Sequence, residues 1–326
     1  MFSRKISDGF FGICVGEALG LPVDCRSRKY LKLNPMKDFE GLGTYNLPAG
    51  TWSDGSSLTF CTAEALITGY NLERLAEKFI LWRDTGYWTP NGEIVGKWNR
   101  NAEIVQNLKQ RVSGALFKTS KNGEPGNFVL LWILPLAYVT FGLSLQKRVK
   151  VVREVISFID GNPLSIIGAV MYNEVAVSLL EGKPVKDAVV TAQETITGLY
   201  GKRDEFAAFS PVFSGRIISL TESDLRASSN LIDTLIAAIW MLLHGKNYRE
   251  TLLAAVNLGE DTDSIGAVTG GLAGLAFGYD DIPADWIGKI ARKADIEDLT
   301  LRFTKKMKAW EARLQNSSSA SRGSST

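Results

Sequence analysis

The segment 257–278, NLGEDTDSIGAVTGGLAGLAFG, constrains the fold more than any other stretch of the chain. Acidic and hydroxyl residues stand where a helix would start, and the interior that follows carries Gly266, Gly270, Gly271, Ala273 and Gly274. Each glycine costs a helix about 1 kcal/mol against alanine. Such a cost is tolerated where a second helix must approach closely, so the segment is predicted to form the most tightly packed part of the core.

Helical periodicity also dominates elsewhere. Leu72, Leu75, Ala76, Phe79 and Ile80 recur at spacings of three and four, as do Leu231, Leu235, Ala238, Ile239 and Leu242, and each set forms one apolar stripe. IIGAVMYNEVAVSLLEG, from Ile166, reads as a nearly all-apolar helix closed by Gly182. Alternation of the kind strands show is scarce, which predicts an all-α globule around a buried central helix set. Its 326 residues, 45% hydrophobic, suffice for one large core. The expected division is one domain over 1–315 and a disordered, Ser-rich tail over 316–326. Between Tyr30 and Thr51, Pro35, Gly41, Gly43, Pro48 and Gly50 predict a long ordered loop over a site, and TSKNGEPGN (119–127) a second such connection.

Charge and rare residues exclude several function classes. Lys and Arg total 37 against 35 Asp and Glu, and a net charge of +2 gives no field that would recruit nucleic acid or a membrane surface. No apolar run is read as long enough to span a bilayer, and the opening MFSRKISDGFFGICVGEALG is read as mature helix because Asp8 and Glu17 interrupt it. Cys14, Cys25 and Cys61 lack C-x-x-C spacing, which argues against a disulfide framework or thiolate zinc site and for a reducing cytoplasm. His244 is the only histidine and sits at an apparent helix end, so a histidine-dependent triad is not expected. A monomer is the expected state.

Two helix starts carry the candidate chemistry. Asp261, Asp263 and Ser264 open the glycine-rich segment, while Ser53 and Asp54 precede SSLTFCTAEALITG. Alone, each motif is equally well a helix cap. Face to face, three carboxylates would meet, and each like-charged pair at about 4 Å would cost about 4 kcal/mol at an effective dielectric of about 20. Oxygen ligands of this kind suit magnesium, manganese or calcium rather than zinc.

With these motifs the chain resembles the ADP-ribosylglycohydrolase family, all-α enzymes dependent on magnesium or manganese, of the dinitrogenase-reductase-activating glycohydrolase type. The similarity runs in order from GFFGICVGEALGLPVDCRSR (Gly9 to Arg28) through GTYNLPAGTWSDGSSLTFCTAEAL to LGEDTDSIGAVTGGLAGLAFG and IPADWI. It implies a metal-dependent hydrolase that removes ADP-ribose, or a related ribosyl group, from a protein side chain or small molecule. It further implies one or two Mg2+ or Mn2+ ions held by Ser53, Asp54, Asp261, Asp263 and Ser264. Asp24, where the family usually has glutamate, is implied as a catalytic carboxylate together with Asp54 and Asp261. Asn127 in EPGN matches an asparagine that helps hold the ADP-ribose.

The departures fall around the same place. Gly55 stands where the family nearly always has a second aspartate. Phe128 and Val129 replace small residues, Trp132 replaces arginine, Ile159 and Asp160 replace a Thr-His pair, and GEIVGKWNRN (92–101) lacks an expected Asp-Ile-Gly. Trp132 and Asp160 are accordingly expected beside Asn127 at a substrate-binding wall. The alternative implied by these changes is a catalytically silent relative that binds ADP-ribose, a nucleotide or a protein. A third reading is a helical scaffold whose cation only neutralises carboxylates.

Overall fold

The computed structural model describes residues 2–95, 105–110, 125–213 and 216–323, the side chains of 2–4 and 313–323 excepted. In chain order the helices are α1 (Phe2–Gly20), α2 (Arg28–Leu33), α3 (Asp54–Thr68), α4 (Leu72–Thr85), α5 (105–110), α6 (Phe128–Trp132), α7 (Leu134–Thr140), α8 (Leu145–Ile159), α9 (Pro163–Leu180), α10 (Val185–Tyr200), α11 (Ser210–Phe213), α12 (Leu231–His244), α13 (Tyr248–Val256), α14 (Thr262–Phe277), α15 (Ala284–Lys289) and α16 (Lys293–Gly323). Among the described residues there is no strand, only isolated bridges at Leu42–Leu47 and Gly126–Asn230. The all-α expectation holds.

Local capping chemistry sets many of the boundaries. The side chains of Asn71, Asn162, Asn230 and Asn247 accept from the first-turn N–H groups of Arg74, Leu164, Ile232 and Glu250, and so start α4, α9, α12 and α13. Gly86 at φ +68° ends α4 in the left-handed region that glycine adopts without steric cost. Each predicted stripe faces inward: Leu75, Ala76 and Phe79 of α4 are buried, as are Leu231, Leu235, Ala238, Ile239 and Leu242 of α12.

At the centre lie α1 and α14, whose backbones touch. A Cβ added at Gly12 would meet the Gly270 carbonyl, one at Gly16 the Gly266 carbonyl, and one at Gly20 the Thr262 carbonyl. From the other side, Cβ atoms at Gly266, Gly270 and Gly274 would meet the carbonyls of Gly16, Gly12 and Asp8. Both helices thus present glycine every fourth residue on one face, leaving no room for side chains between them. Tyr248 of α13 donates from its hydroxyl to the Gly12 carbonyl at 2.7 Å. Around this pair Phe10 packs on Phe60 of α3 and Phe303 of α16. On the far side α9 is buried over nearly its whole length, with Glu174 held by Arg148 at 2.6 Å.

One expectation changes. Lys5–Val23 and Pro163–Leu180 are in fact long and apolar enough to cross a membrane, with mean hydropathies of 1.3 and 1.5. Their windows are 89% and 83% buried within the fold, so both are core helices here. The last helix, α16, is anchored by the packed residues Ile296, Leu299, Phe303 and Met307, and 324–326 lie outside the described residues.

The close approach of α1 and α14 makes a simple contrast. Gly16→Ala should lower unfolding free energy by about 2 kcal/mol or more through overpacking. Gly198→Ala in α10, where an added Cβ meets nothing within 4 Å, should raise it by about 0.5–1 kcal/mol. Urea unfolding of the two variants measures both, and a stabilised Gly16→Ala protein would contradict backbone contact.

Candidate functional site

Three segments that are remote in sequence close on one cleft. The chain leaves α1 through a short turn, Leu21–Val23, and presents Asp24. That turn is tied to the start of α14: Thr262 Oγ1 donates to the Gly20 carbonyl at 2.8 Å, Cys25 N to the Glu260 carbonyl at 2.7 Å, and Glu260 N to the Arg26 carbonyl at 2.7 Å. Cys25 and Glu260 both take left-handed backbone, at φ +64° and +65°. Such strain at non-glycine residues persists only where the surroundings hold it, and it gathers at functional sites. The N-terminus of α3 completes the cleft with Ser53 and Asp54. The cavity, about 580 Å³, is lined by Asp24, Asp54, Asn127, Phe128, Leu131, Asp261, Asp263 and Ser264 among others.

One carboxylate oxygen each from Asp24, Asp261 and Asp263 lie within 4.8 Å of one another. Like charges at that spacing repel by about 3 kcal/mol per pair at an effective dielectric of about 20. Burial pushes the Asp263 carboxyl well above the usual range, and the charges of Asp24, Asp261, Asp54 and Glu17 push it further. Asp54 is raised to about 7, first by burial and then by Glu17 and Asp261. Each acid has hydrogen-bonding neighbours. Asp24 Oδ2 accepts from the Tyr45 hydroxyl at 2.6 Å and the Cys25 thiol at 3.1 Å. Asp261 Oδ2 accepts from Asn127 Nδ2 at 2.7 Å, and its Oδ1 from Ser264 Oγ at 3.2 Å. The segment 30–51, predicted to be a loop, begins as the end of α2 and reaches the site through Tyr45.

These donors fit a hard divalent cation. All are carboxylate or hydroxyl oxygens, they converge from three segments, and their mutual repulsion is what such a cation would relieve. The structure brings Asp24, Ser53, Asp54, Asn127, Asp261, Asp263 and Ser264 together. Asp261 was equally readable as a cap, yet its side chain caps no N–H of α14. Asn127 lines the cleft while its amide holds Asp261 and donates to Thr234 Oγ1 at 3.0 Å.

Trp132 and Asp160 are corrected. Trp132 is fully buried, edge-on to Phe79 at 5.2 Å and to Phe128 at 6.2 Å, because its turn of α6 points into the core; Phe128 and Leu131 line the cleft instead. Asp160 follows the last turn of α8, just before the chain reverses at Gly161 (φ +73°), and is not among the cleft residues. Gly161 lines a separate cavity of about 340 Å³ with Arg153, Tyr200 and Arg203. Residues 96–101 of GEIVGKWNRN and 119–124 of the second expected connection lie outside the described residues.

Sequence reasoning missed Glu17. It is 1% exposed and accepts from Ser53 Oγ at 2.7 Å, Gly55 N at 2.8 Å and Ser56 N at 2.8 Å. Its signal was present: a carboxylate inside an otherwise apolar helix must be paired.

The raised Asp54 gives a pH prediction for the cation-free protein. Between about 4 and about 7 the folded chain keeps a proton on Asp54 that the unfolded chain has released, so stability falls as pH rises through that window, and the raised Asp263 adds to the fall. Tm measured against pH in EDTA should show this fall, and saturating Mg2+ should flatten it.

Comparison with known proteins agrees with the geometry. The family model described as ADP-ribosylglycohydrolase matches residues 2–313. The ADP-ribosylarginine hydrolase Tri1 of Serratia proteamaculans (strain 568) is 27% identical over 310 residues, 90% of this chain and 77% of its own. The ADP-ribosyl-[dinitrogen reductase] glycohydrolase of Rhodospirillum rubrum is 24% identical, covering 88% and 90%. A solved structure titled ADP-ribosylglycohydrolase-related protein complex superposes with a TM-score of 0.77 over 94% of this chain and 98% of its own, at 23% identity, which speaks to the fold alone. With the family match spanning nearly the whole of it, the chain belongs to the ADP-ribosylglycohydrolase family.

Proposed function

We propose that this protein is a divalent-cation-dependent hydrolase that cleaves the bond between ribose C1 of ADP-ribose and a side chain of a modified protein, with arginine the linked residue. The observation that carries the reading is the convergence of Asp24, Asp261 and Asp263 within 4.8 Å beside Asp54 in a cleft of substrate size. Names of relatives support the substrate class, since one is an ADP-ribosylarginine hydrolase and another acts on ADP-ribosyl-dinitrogen reductase. The cleft's charge supports arginine, because a guanidinium is cationic and Asp24, Asp54, Glu260, Asp261 and Asp263 make its surroundings acidic.

Asp24, Asp261 and Asp263 would hold the ion, Mg2+ or Mn2+, with the hydroxyls of Ser53 and Ser264 at hand. When bound, the cation supplies a fixed positive charge that orients ribose hydroxyls and acidifies water. Asp54, which lines the cleft beside these three acids, is placed to take the proton of the attacking water. The surrounding carboxylates stabilise the oxocarbenium-like charge that develops at C1. Asn127 fixes the Asp261 carboxylate, while Phe128 and Leu131 give the cleft its apolar wall. The three cysteines form no disulfide, which supports a reducing cytoplasm as the site of action.

A silent, binding-only relative is the second reading, favoured by one observation: Gly55 offers no ligand at the start of α3. The two separate in one assay. Release of ADP-ribose from an ADP-ribosylarginine peptide should require Mg2+ or Mn2+, and Asp54→Asn should lower the rate about 100-fold or more while leaving cation binding measurable. Asp261→Asn and Asp263→Asn should abolish the rise in Tm that Mg2+ gives the unaltered protein. Binding of ADP-ribose without release from any linkage would favour the silent relative; no cation-dependent change in Tm would exclude the hydrolase reading.

A further inference from the structure

Position 55 and Glu17 occupy one space. A Cβ built on Gly55 would lie 2.7 Å from Glu17 Oε1 and 3.3 Å from Leu131 Cβ. The carboxylate cannot simply swing aside, because it is buried and accepts three hydrogen bonds, two from the N–H groups of Gly55 and Ser56 in the first turn of α3. Those are donors that an N-cap side chain would ordinarily satisfy. Ser53 is the N-cap residue, yet its side chain makes no cap bond. Its hydroxyl is closest to Glu17, at 2.7 Å, the contact along which its one hydrogen is best donated, and the same oxygen stands 3.4 Å from both Asp54 Oδ1 and Asp263 Oδ2. With the proton committed to Glu17, the Ser53 lone pairs face carboxylates, an arrangement that is favourable when a cation shares the space.

We propose that Glu17 and Gly55 are a matched pair. Glu17 reaches from α1 into the room left by the missing side chain, caps α3 and fixes the Ser53 hydroxyl with its lone pairs toward the cation. Glu17 is thereby a positioning residue, and the glycine at 55 is the condition for it rather than a plain loss. An aspartate at 55 and a glutamate at 17 exclude each other. The part of this proposal that concerns the cation rests on the hydrolase reading above; the part that concerns the pair does not.

A mutant cycle on the full-length chain tests both, using Glu17→Ala, Gly55→Asp, the double variant and the near-isosteric Glu17→Gln. Read as Tm in EDTA, Gly55→Asp should lower Tm by several degrees in the unaltered background and raise it in the Glu17→Ala background. Equal shifts in both backgrounds would overturn the pair. Read as Mn2+ binding by electron paramagnetic resonance, Glu17→Gln should weaken affinity about 10-fold or more, and the double variant should bind more tightly than Glu17→Ala. Unchanged Mn2+ affinity in Glu17→Gln would overturn the positioning role. Failure of the unaltered protein to bind Mn2+ would overturn the cation reading, while the Tm cycle would still decide the pair. If Glu17→Ala does not fold, the cycle runs on Glu17→Ser, which also vacates the space beside position 55, and the same reversal of sign is expected there.

Discussion

Backbone contact between α1 and α14 is the constraint on which the rest of the molecule depends. Glycines at every fourth position of both helices let carbonyls sit where side chains would otherwise stand. The contact runs along the helices from Asp8 against Gly274 to Gly20 against Thr262. Its last members set the site, since the end of α1 and the start of α14 are brought together there. Asp24, four residues past the end of α1, and Asp261, one residue before α14, inherit their proximity from it. Closely packed interiors transmit small displacements, so the glycine face fixes not only stability but the spacing of the carboxylates.

The cleft opposes that rigidity with stored electrostatic energy. Burial first, and repulsion between neighbouring carboxylates second, push the titration of Asp54 and Asp263 upward, and the acids of the cleft are held in place by surrounding side chains. Tyr45 and Cys25 hold Asp24, Asn127 and Ser264 hold Asp261, and Glu17 caps the helix that carries Asp54. Acids kept in place this way are preorganised, and on the proposed reading a cation entering the cleft would meet ligands already oriented. The left-handed backbone at Cys25 and Glu260 belongs to the same design, because the hydrogen bonds from Cys25 N to the Glu260 carbonyl and from Glu260 N to the Arg26 carbonyl lock the two acidic turns together.

Much of this could be read in the residues, and what could not has a common physical cause. Glycine spacing in 257–278 predicted a closely approaching partner, yet the partner's own glycines, Gly12, Gly16 and Gly20, drew no inference. Glu17 was read only as an interruption of an apolar run, whereas its partners lie on α3, 36 to 39 residues away. Trp132 was placed at the ligand wall by its neighbourhood in sequence, but in a helix as short as α6 one turn separates a cleft residue such as Phe128 from a core residue. Apolar length misled in the other direction, since α9 is hydrophobic all round because it is enclosed by other helices.

By itself the sequence determined what is local or periodic: all-α architecture, inward stripes, asparagine caps, acidic helix starts and a glycine face demanding a neighbour. These follow from bonding and periodicity within about four residues along the chain. Only the tertiary structure decided which carboxylates share a cleft, which of them stands nearest the Ser53 hydroxyl and which side chain fills the gap at Gly55. Those outcomes depend on ångström distances between groups as far as 239 residues apart, as Asp24 and Asp263 are, and no spacing along the chain encodes them.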